Sequence, residues 1–509
     1  MRTYLLDWLL RTLRDELAKE STVERVVMVH SAGPAIVNRS CIYFASPSRV
    51  ELAIGLASHM VGSIMEVLQG PVEDALRRAV RATLARLAAT PPALSTLLDR
   101  WALRSLIRDS SGAAFVANGC LLARDDASSS AAASPHVVPF TSPPSLERTF
   151  TLPHSGDTVT GMLVPAGVTV ITGGGFHGKS TLLRALAMGA HDLVPGDGRE
   201  WCITAGTSTT IRSEDGRSIS NVDISPFISD LPAAVAMDVE NFSTRCGSGS
   251  TSQAAAVVEG IEMGCSLFLL DEDTCAGNFM IRDSRLRSLI EREPITPFIY
   301  RVNSLYKQLG ISSIVVIGGS GDWFDVQDAT LQLDNFQCLD VTRRVAQISK
   351  TFCTGRVTYN GQGLVHQLLW THSLRRRYPA RSLFKAPLPG CSPTGGGFLL
   401  SASEDGGVLR YGSLFSLDLS KVDQRVEGRA GALGIGVALY WLGNDASAAA
   451  PPHQPLSVSD ILAAYNTQRG GCLMYCYAAL TAHETYVLPL PSVLASALNR
   501  IRGATFKIE

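Results

Sequence analysis

The fold is decided by residues 173–180, which read Gly173-Gly174-Gly175-Phe176-His177-Gly178-Lys179-Ser180. An apolar, β-branched run at 167–172 comes directly before this stretch and predicts a buried strand. Residues 181–188 are apolar and helix-forming, and Gly189 predicts the end of that helix. A strand, a glycine-rich loop and a helix in this order are the context that the motif G-x-x-x-x-G-K-[ST] requires. We therefore expect a phosphate-binding loop, in preference to a glycine-rich turn with a chance Gly-Lys-Ser.

The residue types of this loop suit a polyphosphate. Glycines allow backbone N–H groups to approach phosphate oxygens closely, and the helix N-terminus adds a partial positive charge. Lys179 is expected to reach the β- and γ-phosphates, and the Ser180 hydroxyl is expected to bind Mg²⁺. The predicted ATP-binding residues are Gly173, Gly174, Gly175, Phe176, His177, Gly178, Lys179, Ser180 and Thr181.

A second apolar run, 266–270, ends in the carboxylates Asp271 and Glu272. Asp271 is expected to hold Mg²⁺, and Glu272 to act as the general base that polarises the attacking water. The alternative is an acidic strand end that caps the next turn. A third apolar run, 314–317, leads into a glycine turn at 318–322. Together these segments predict an α/β fold in which the strands lie side by side in one sheet.

Composition excludes several classes of protein. The net charge is −1, so no global field attracts the chain to nucleic acid or to a membrane surface. The eleven cysteines form no C-x-x-C pair, which favours a reducing compartment and argues against a zinc site. The longest uninterrupted apolar run, near 433–442, is too short to cross a bilayer, so we expect no membrane partner.

Low-complexity stretches suggest domain boundaries. The Ala-, Ser- and Pro-rich segment 125–145 predicts a linker between an α+β N-terminal domain (1–124) and the nucleotide-binding domain (146–345). A C-terminal domain (346–509) would follow. In the last two domains we predict helices at 254–263 and at 421–442.

A basic cluster in the C-terminal domain could contact single-stranded RNA, with arginines on the phosphates and nearby aromatic residues under the bases. An exposed basic loop is the alternative. The cluster consists of Arg375, Arg376, Arg377 and Arg381. Seven of the 45 basic residues are Lys and the rest are Arg, which fits phosphate contacts and GC-rich codon usage equally well.

Spacing distinguishes among P-loop classes. Ser248 precedes Asp271 by 23 residues, which resembles the distance between the signature serine and the magnesium aspartate of ABC-type ATPases. The candidate signature residues are Ser248, Gly249, Ser250 and Thr251. In ABC ATPases two subunits enclose ATP head to tail, so the resemblance implies a homodimer whose signature acts in trans.

Several longer segments resemble the "predicted ATPase of the ABC class" family, found in bacteria and kinetoplastids. The resemblance runs from about residue 40 to 442 and is strongest at 160–345, including 168–181, 248–255, 271–274, 278–283, 293–298 and 317–322. It implies an ABC-type P-loop core, a mixed and mainly parallel sheet flanked by helices, with α+β domains at both ends. The inserted low-complexity segments resemble a kinetoplastid member. That likeness implies ATP and Mg²⁺ as cofactors, a mitochondrial matrix location and association with RNA-editing ribonucleoproteins.

The chain departs from the ABC pattern at three places. No histidine stands near 319–320, so sensing of the γ-phosphate either falls to Ser320 or Asp322 or is weak. The expected glutamine before the signature is not evident, and Asp223 or Ser225 would replace it. Residues 246–247 are Cys-Gly where the family tends to have Asp-Ala.

These features predict an ATPase that couples dimer closure to remodelling of RNA or of a ribonucleoprotein. The proposed catalytic residues are Glu272, Lys179 and Ser320. The alternative is an RNA-binding scaffold in which ATP serves as a structural clamp with little hydrolysis, and the missing histidine favours it. A small-molecule kinase and a transporter ATPase fit the signature spacing and the flanking sequence less well.

Overall fold

A computed structural model of the 509-residue chain gives the fold. It describes residues 2–20, 27–29, 33–37, 39–46, 49–53, 55–56, 71–89, 94–124, 137–229, 231–232, 237–290, 292–352, 377–379, 399–422, 426, 428–444, 457–468, 478–481, 484–501 and 506–508.

The strands are β1 Val27–Met28, β2 Ile42–Ser46, β3 Arg49–Leu52, β4 Gly55–Leu56, β5 Gly112–Ala117, β6 Glu147–Thr151, β7 Thr158–Pro165, β8 Val168–Gly173, β9 Cys202–Thr204, β10 Ser208–Ile211, β11 Arg217–Val222, β12 Phe242–Gly247, β13 Leu267–Asp271, β14 Ser312–Val316, β15 Ala329–Asp334, β16 Gln337–Asp340, β17 Arg377–Pro379, β18 Leu400–Ala402, β19 Val408–Tyr411, β20 Phe415–Asp418 and β21 Phe506–Ile508. The α-helices are α1 Arg2–Ala18, α2 Pro71–Ala89, α3 Leu94–Asp109, α4 Lys179–Met188, α5 Gly249–Glu262, α6 Gly277–Met280, α7 Ser284–Leu289, α8 Val302–Leu309, α9 Thr342–Thr351, α10 Gly428–Asn444, α11 Val458–Gln468 and α12 Pro491–Leu498.

The central sheet has the strand order β10-β13-β14-β8-β15-β16. Its first five strands are parallel, and β16 is antiparallel to β15. The predicted strands at 167–172, 266–271 and 314–317 are therefore confirmed as β8, β13 and β14. Their carboxyl ends meet at one edge of the sheet, which is where α/β sheets bind ligands.

Alternate residues of the central strands point to opposite faces of the sheet. Val168 and Val170 share one apolar core with the signature-bearing helix α5, whereas Ile171 shares the other core with the phosphate-loop helix α4. The two nucleotide-related helices consequently pack on opposite faces of the same sheet. This confirms the predicted mainly parallel sheet flanked by helices.

An antiparallel sheet of order β6-β7-β5-β9 covers the α4 side. Strand β5 pairs with both β7 and β9, although the sequence places it in the N-terminal domain. The predicted linker 125–145 thus lies between strands of a single sheet. The pairing of β5 depends on contacts with residues 158–165 and 202–204, which local composition does not encode.

The remaining elements form smaller units. At the N-terminal end, α1 packs against α2 and β2. At the C-terminal end, β18, β19 and β20 form a three-stranded sheet that shares a core with α10, α11 and α12. Helix α10 begins at Gly428, so the predicted start at residue 421 is wrong; residues 421–422 form a turn instead. None of the helices in the described ranges is long and apolar enough to span a membrane.

Candidate nucleotide site

The phosphate loop, residues 173–180, connects β8 to α4 at the edge where the parallel strands end. Gly178 precedes the helix in the left-handed conformation (φ 96°), which glycine adopts without steric cost. The predicted helix therefore begins two residues early, at Lys179, and its first N–H groups face the loop. This is the geometry by which a helix N-terminus binds phosphate.

Polar groups of the loop contact one another and the β13 strand end. Lys179 Nζ donates to the carbonyl oxygens of Gly173 and Gly174, at 2.9 and 2.8 Å. Ser180 Oγ donates to Asp271 Oδ2 at 2.8 Å. The structure thus brings together the lysine, the serine and the aspartate that the sequence predicts for phosphate and Mg²⁺.

Glu272 follows Asp271 and contacts the loop after β14. Its Oε2 atom accepts hydrogen bonds from the backbone N–H groups of Gly318 and Gly319, at 2.6 and 2.9 Å. Sequence reasoning missed these two amides; the glycine pair directly after a buried strand was the available signal. They fix the orientation of the predicted general base.

Ser320, predicted to sense the γ-phosphate, has another role in this structure. Its hydroxyl accepts from Asp322 N at 3.4 Å and caps the 3-10 helix Gly321–Asp325. The neighbouring Gly318 and Gly319, rather than Ser320, supply the hydrogen bonds to Glu272. The assignment of Ser320 as a catalytic residue stays a prediction.

The candidate signature, Ser248 to Thr251, begins helix α5. The Ser248 side chain is the N-cap: its Oγ accepts from Thr251 N and lies 3.0 Å from Thr251 Oγ1. Because Ser248 caps the helix, α5 begins at Gly249, five residues before the predicted start. Ser248 is exposed, and Ser250 Oγ donates to Asn278 Oδ1 at 2.7 Å.

A second loop, residues 213–217, cradles the signature. Glu214 N donates to Ser252 Oγ at 2.9 Å, and Ser252 Oγ donates to the Gly249 carbonyl at 2.8 Å. A Cβ atom on Gly249 would collide with Ser213 Oγ, so a larger residue here would displace the Ser213 side chain. We call residues 213–217 the cradle loop.

Buried charges stabilise the cradle loop. Arg217 forms an ion pair with Glu259 of α5, and Glu214 forms one with Arg500 of the C-terminal region. Burial lowers the pKa of Arg217, although the Glu259 charge opposes that effect. Burial alone would raise the pKa of Glu214, but the charge and hydrogen bonds of Arg500 hold that pKa below its usual value.

The hairpin between β15 and β16 borders the phosphate loop. His177 Nδ1 lies 3.3 Å from Asp334 Oδ1 and accepts from Asn335 N. The Phe336 ring lies against Gly178, so a Cβ atom there would be 3.1 Å from it. Phe176 is fully exposed and adopts φ 62°, a left-handed conformation that is uncommon for an aromatic residue.

The predicted replacements for the missing glutamine lie after β11. Asp223 is buried, and its Oδ1 accepts from Ser225 N at 3.0 Å. This bond closes a local turn, which is a common use of an aspartate side chain. A role for either residue at the nucleotide stays a prediction.

The oxygen donors suit Mg²⁺ better than a transition metal. Mg²⁺ is commonly held by one or two protein oxygens together with phosphate and water, and Ser180 and Asp271 supply two such oxygens. Across the described ranges, no group of three or more His, Cys, Asp and Glu residues could hold a metal ion. Burial raises the pKa of the nearby Cys275 to about 12, so this thiol stays protonated.

The basic cluster falls mainly outside the described residues. Arg377 begins strand β17, which pairs with β21, while Arg375, Arg376 and Arg381 lie beyond the described ranges.

Other arginines have structural roles. Arg100, Arg104 and Arg108 of α3 donate to backbone carbonyls at 189–193 and 204–205, beside the C-terminal end of α4.

Comparison with curated proteins found a partial relative. A 145-residue segment is 33% identical to an uncharacterized protein of Methanocaldococcus jannaschii, covering 28% of this chain and 32% of that protein. The chain thus spans about a third of the length of that curated relative.

Two solved structures share partial similarity with the chain. One is a metal-chelate type ABC transporter in an inward-facing conformation: 18% identity, 37% of this chain, 77% of that chain and a TM-score of 0.25. The other is cbiO1 from Clostridium perfringens, part of the ABC transporter complex cbiONQ: 16% identity, 40% of this chain, 89% of that chain and a TM-score of 0.26.

The family comparison covers the whole nucleotide site. The model of the ABC_ATPase P-loop domain matches residues 90–367, which is more than half of the chain. The match includes the phosphate loop, the Asp271–Glu272 strand end, the signature and the cradle loop. The chain therefore belongs to the ABC_ATPase P-loop domain family.

Proposed function

We propose that this protein hydrolyses ATP at a site shared by two copies of the chain, with ATP binding closing the dimer and hydrolysis opening it. One observation carries the proposal. The phosphate-loop helix and the signature helix pack on opposite faces of the central sheet. A nucleotide in the phosphate loop of one subunit would accordingly meet the signature of a second copy.

The surfaces of both loops support this arrangement. Phe176 projects fully into solvent from the phosphate loop, and the Ser248 hydroxyl is exposed at the start of α5. An exposed aromatic residue in an unfavourable backbone conformation is typical of a site where function outweighs local stability. A second subunit would cover both groups.

The chemistry follows from the residues that contact each other. Lys179 would leave the loop carbonyls and bind the β- and γ-phosphates, and Ser180 with Asp271 would hold Mg²⁺. The metal ion would neutralise charge on the phosphate oxygens. Glu272 would accept a proton from water as its oxygen bonds to the γ-phosphorus and the bond to the β-phosphate oxygen breaks.

The dimer is tested by sedimentation velocity with Glu272→Gln, which should bind ATP without using it. We expect ATP and Mg²⁺ to convert this variant from monomer to dimer, and the added change Lys179→Ala to abolish the conversion. Cys246, the exposed thiol among the described cysteines, lies two residues before Ser248. Its maleimide labelling, followed by mass spectrometry, should slow on dimer formation. An ATP-bound monomer with unchanged labelling would contradict the shared site.

In the scaffold alternative, ATP still closes the dimer but is hydrolysed little or not at all. No histidine stands near 319–320, where the resemblance to ABC ATPases implies one, and this favours slow hydrolysis. ATP-dependent dimerisation of the wild-type protein with no phosphate release would support the scaffold over the ATPase.

We also propose that the partner is single-stranded RNA or a ribonucleoprotein, in mitochondrial RNA editing. The basic residues 375–377 and 381 and the family resemblance support this proposal. Fluorescence anisotropy with labelled RNA should show log affinity falling with log salt at about −0.7 per phosphate neutralised. Changing the four arginines to alanine should weaken binding and flatten that slope. A salt-independent affinity would contradict the proposal.

A further inference from the structure

The signature helix α5 is in contact with the C-terminal region at both of its ends. Met263, directly after the helix, packs against the C-terminal core as well as the core of the nucleotide-binding domain. At the other end, Arg500 reaches the cradle loop that holds the signature. The 14-residue helix is therefore positioned partly by residues that lie far from it in the sequence.

The contact at the signature end is a short chain of hydrogen bonds. Arg500 Nε donates to Glu214 Oε2 at 2.9 Å, and Arg500 Nη2 also contacts the same carboxylate. The Glu214 backbone N–H donates to Ser252 Oγ, which in turn donates to the carbonyl of Gly249. Three steps thus connect the C-terminal region to the signature glycine.

Arg500 is anchored on its own side. Its Nη1 atom donates to the Ser496 carbonyl at 2.6 Å, and its neighbours Leu498 and Ile501 are buried in the C-terminal core. The Arg500 and Glu214 side chains are 10% and 7% exposed. A shift of α12 would consequently move the Arg500 guanidinium, and with it the cradle loop.

A cavity adjoins this contact. A cavity of about 440 Å³ lies between the cradle loop and the C-terminal region, lined by charged residues including Asp215, Asp418 and Lys421. The Arg500–Glu214 ion pair is therefore a direct contact between the two regions at the border of this cavity.

We propose that Arg500 and Glu214 are positioning residues, through which the C-terminal region sets the position of the signature loop. The inference rests on the proposed shared ATP site, since the signature acts on the nucleotide of the second subunit. A change in the C-terminal region, where partners are proposed to bind, would alter hydrolysis without touching the phosphate loop. ATP affinity of the single subunit would stay the same.

The test compares Arg500→Ala with Arg429→Ala, which removes an ion pair to Glu484 elsewhere in the C-terminal region. Arg500→Ala should lower kcat by about 3- to 30-fold while binding of a fluorescent ATP analogue to the Lys179 site stays within about twofold. Arg429→Ala should leave both unchanged. The reversed pair Arg500→Glu with Glu214→Arg should recover part of the lost turnover.

Hydrogen exchange gives a readout that does not depend on turnover. In Arg500→Ala, amides 248–252 should exchange faster while amides 179–188 keep the wild-type rate. The positioning role would be overturned if exchange at 248–252 is unchanged. It would also be overturned if amides 248–252 and 179–188 lose protection from exchange equally. Absence of turnover and of dimerisation in the wild-type protein would contradict the proposed function, while the exchange result would still decide the role of Arg500.

Discussion

The phosphate loop and the signature loop are both polar, glycine-containing segments at the start of a helix, yet they are held differently. The phosphate loop is positioned within the central sheet: Lys179 contacts its own loop and Ser180 contacts the end of β13. Its His177 side chain accepts from Asn335 N in the hairpin between β15 and β16. The signature loop is positioned by the cradle loop and, through it, by Arg500, more than 200 residues away.

This difference has a consequence for regulation. A loop held by strands of its own sheet keeps its geometry when the C-terminal region moves. A loop held through an ion pair to another region changes when that region moves. We therefore expect changes at the phosphate loop to affect ATP binding, and changes near the signature to affect turnover.

The largest expected effect is on the chemical step, at the residue that follows β13. Glu272→Gln should lower ATP turnover by roughly 10²- to 10⁴-fold, because the amide cannot accept the proton of the attacking water. ATP binding should persist. Phosphate release and equilibrium ATP binding are measured together, with the exposed carboxylate variant Glu240→Gln as the control. Unchanged turnover would remove Glu272 from the mechanism.

An intermediate effect is expected in the signature loop. Gly249→Ala places a Cβ atom against Ser213 Oγ and 3.2 Å from Asp215 Oδ1. The displaced signature should lower kcat by about 10²-fold, since small misplacements near a reacting group have effects of this order. ATP affinity of the subunit should not change. The double variant with Ser213→Ala should regain part of the activity; a lack of any rescue would argue against steric displacement.

The smallest effect concerns stability and pH. The pKa of Glu214 is lowered in the folded state, so its contribution to stability is present above the unfolded pKa of about 4.3 and is lost as pH falls through the folded pKa. At pH 7, Glu214→Gln should lower the free energy of unfolding by about 1–3 kcal/mol. In urea unfolding, the difference in the free energy of unfolding between the wild-type protein and Glu214→Gln should become smaller below pH 4.

The more exposed pair in the C-terminal region provides the control for that measurement. Glu484→Gln should change the free energy of unfolding by about 0–1 kcal/mol, because the Arg429–Glu484 pair is 30% and 44% exposed. If the difference in the free energy of unfolding between the wild-type protein and Glu214→Gln stays constant as the pH falls, the Glu214 charge does not stabilise the fold.

Sequence alone predicts the phosphate-loop side well. The strand, the glycines, Lys179 and Ser180 are consecutive, and Asp271 ends a plainly apolar strand; local periodicity encodes all of them. The ABC-type core, which the family resemblance implies, is confirmed. The candidate signature comes from the resemblance of its spacing to that of ABC-type ATPases, and its role stays a prediction.

The partners of these residues could not be predicted. Gly318 and Gly319 contact Glu272 through backbone amides, which carry no side-chain signal. Arg500 is one arginine among many until the fold brings it to Glu214, and β5 joins its sheet through pairing across the low-complexity segment. Each of these contacts is long-range, so it depends on tertiary structure and not on local propensity.

The shared ATP site is tested most directly by mixing two inactive variants, Lys179→Ala and Ser248→Ala. In a head-to-tail dimer of one of each, the intact phosphate loop of one subunit faces the intact signature of the other. We expect the mixture to recover about a quarter of the wild-type phosphate release, given random pairing and independent sites. A mixture that stays as inactive as its components, while mixed dimers form, would contradict the shared site.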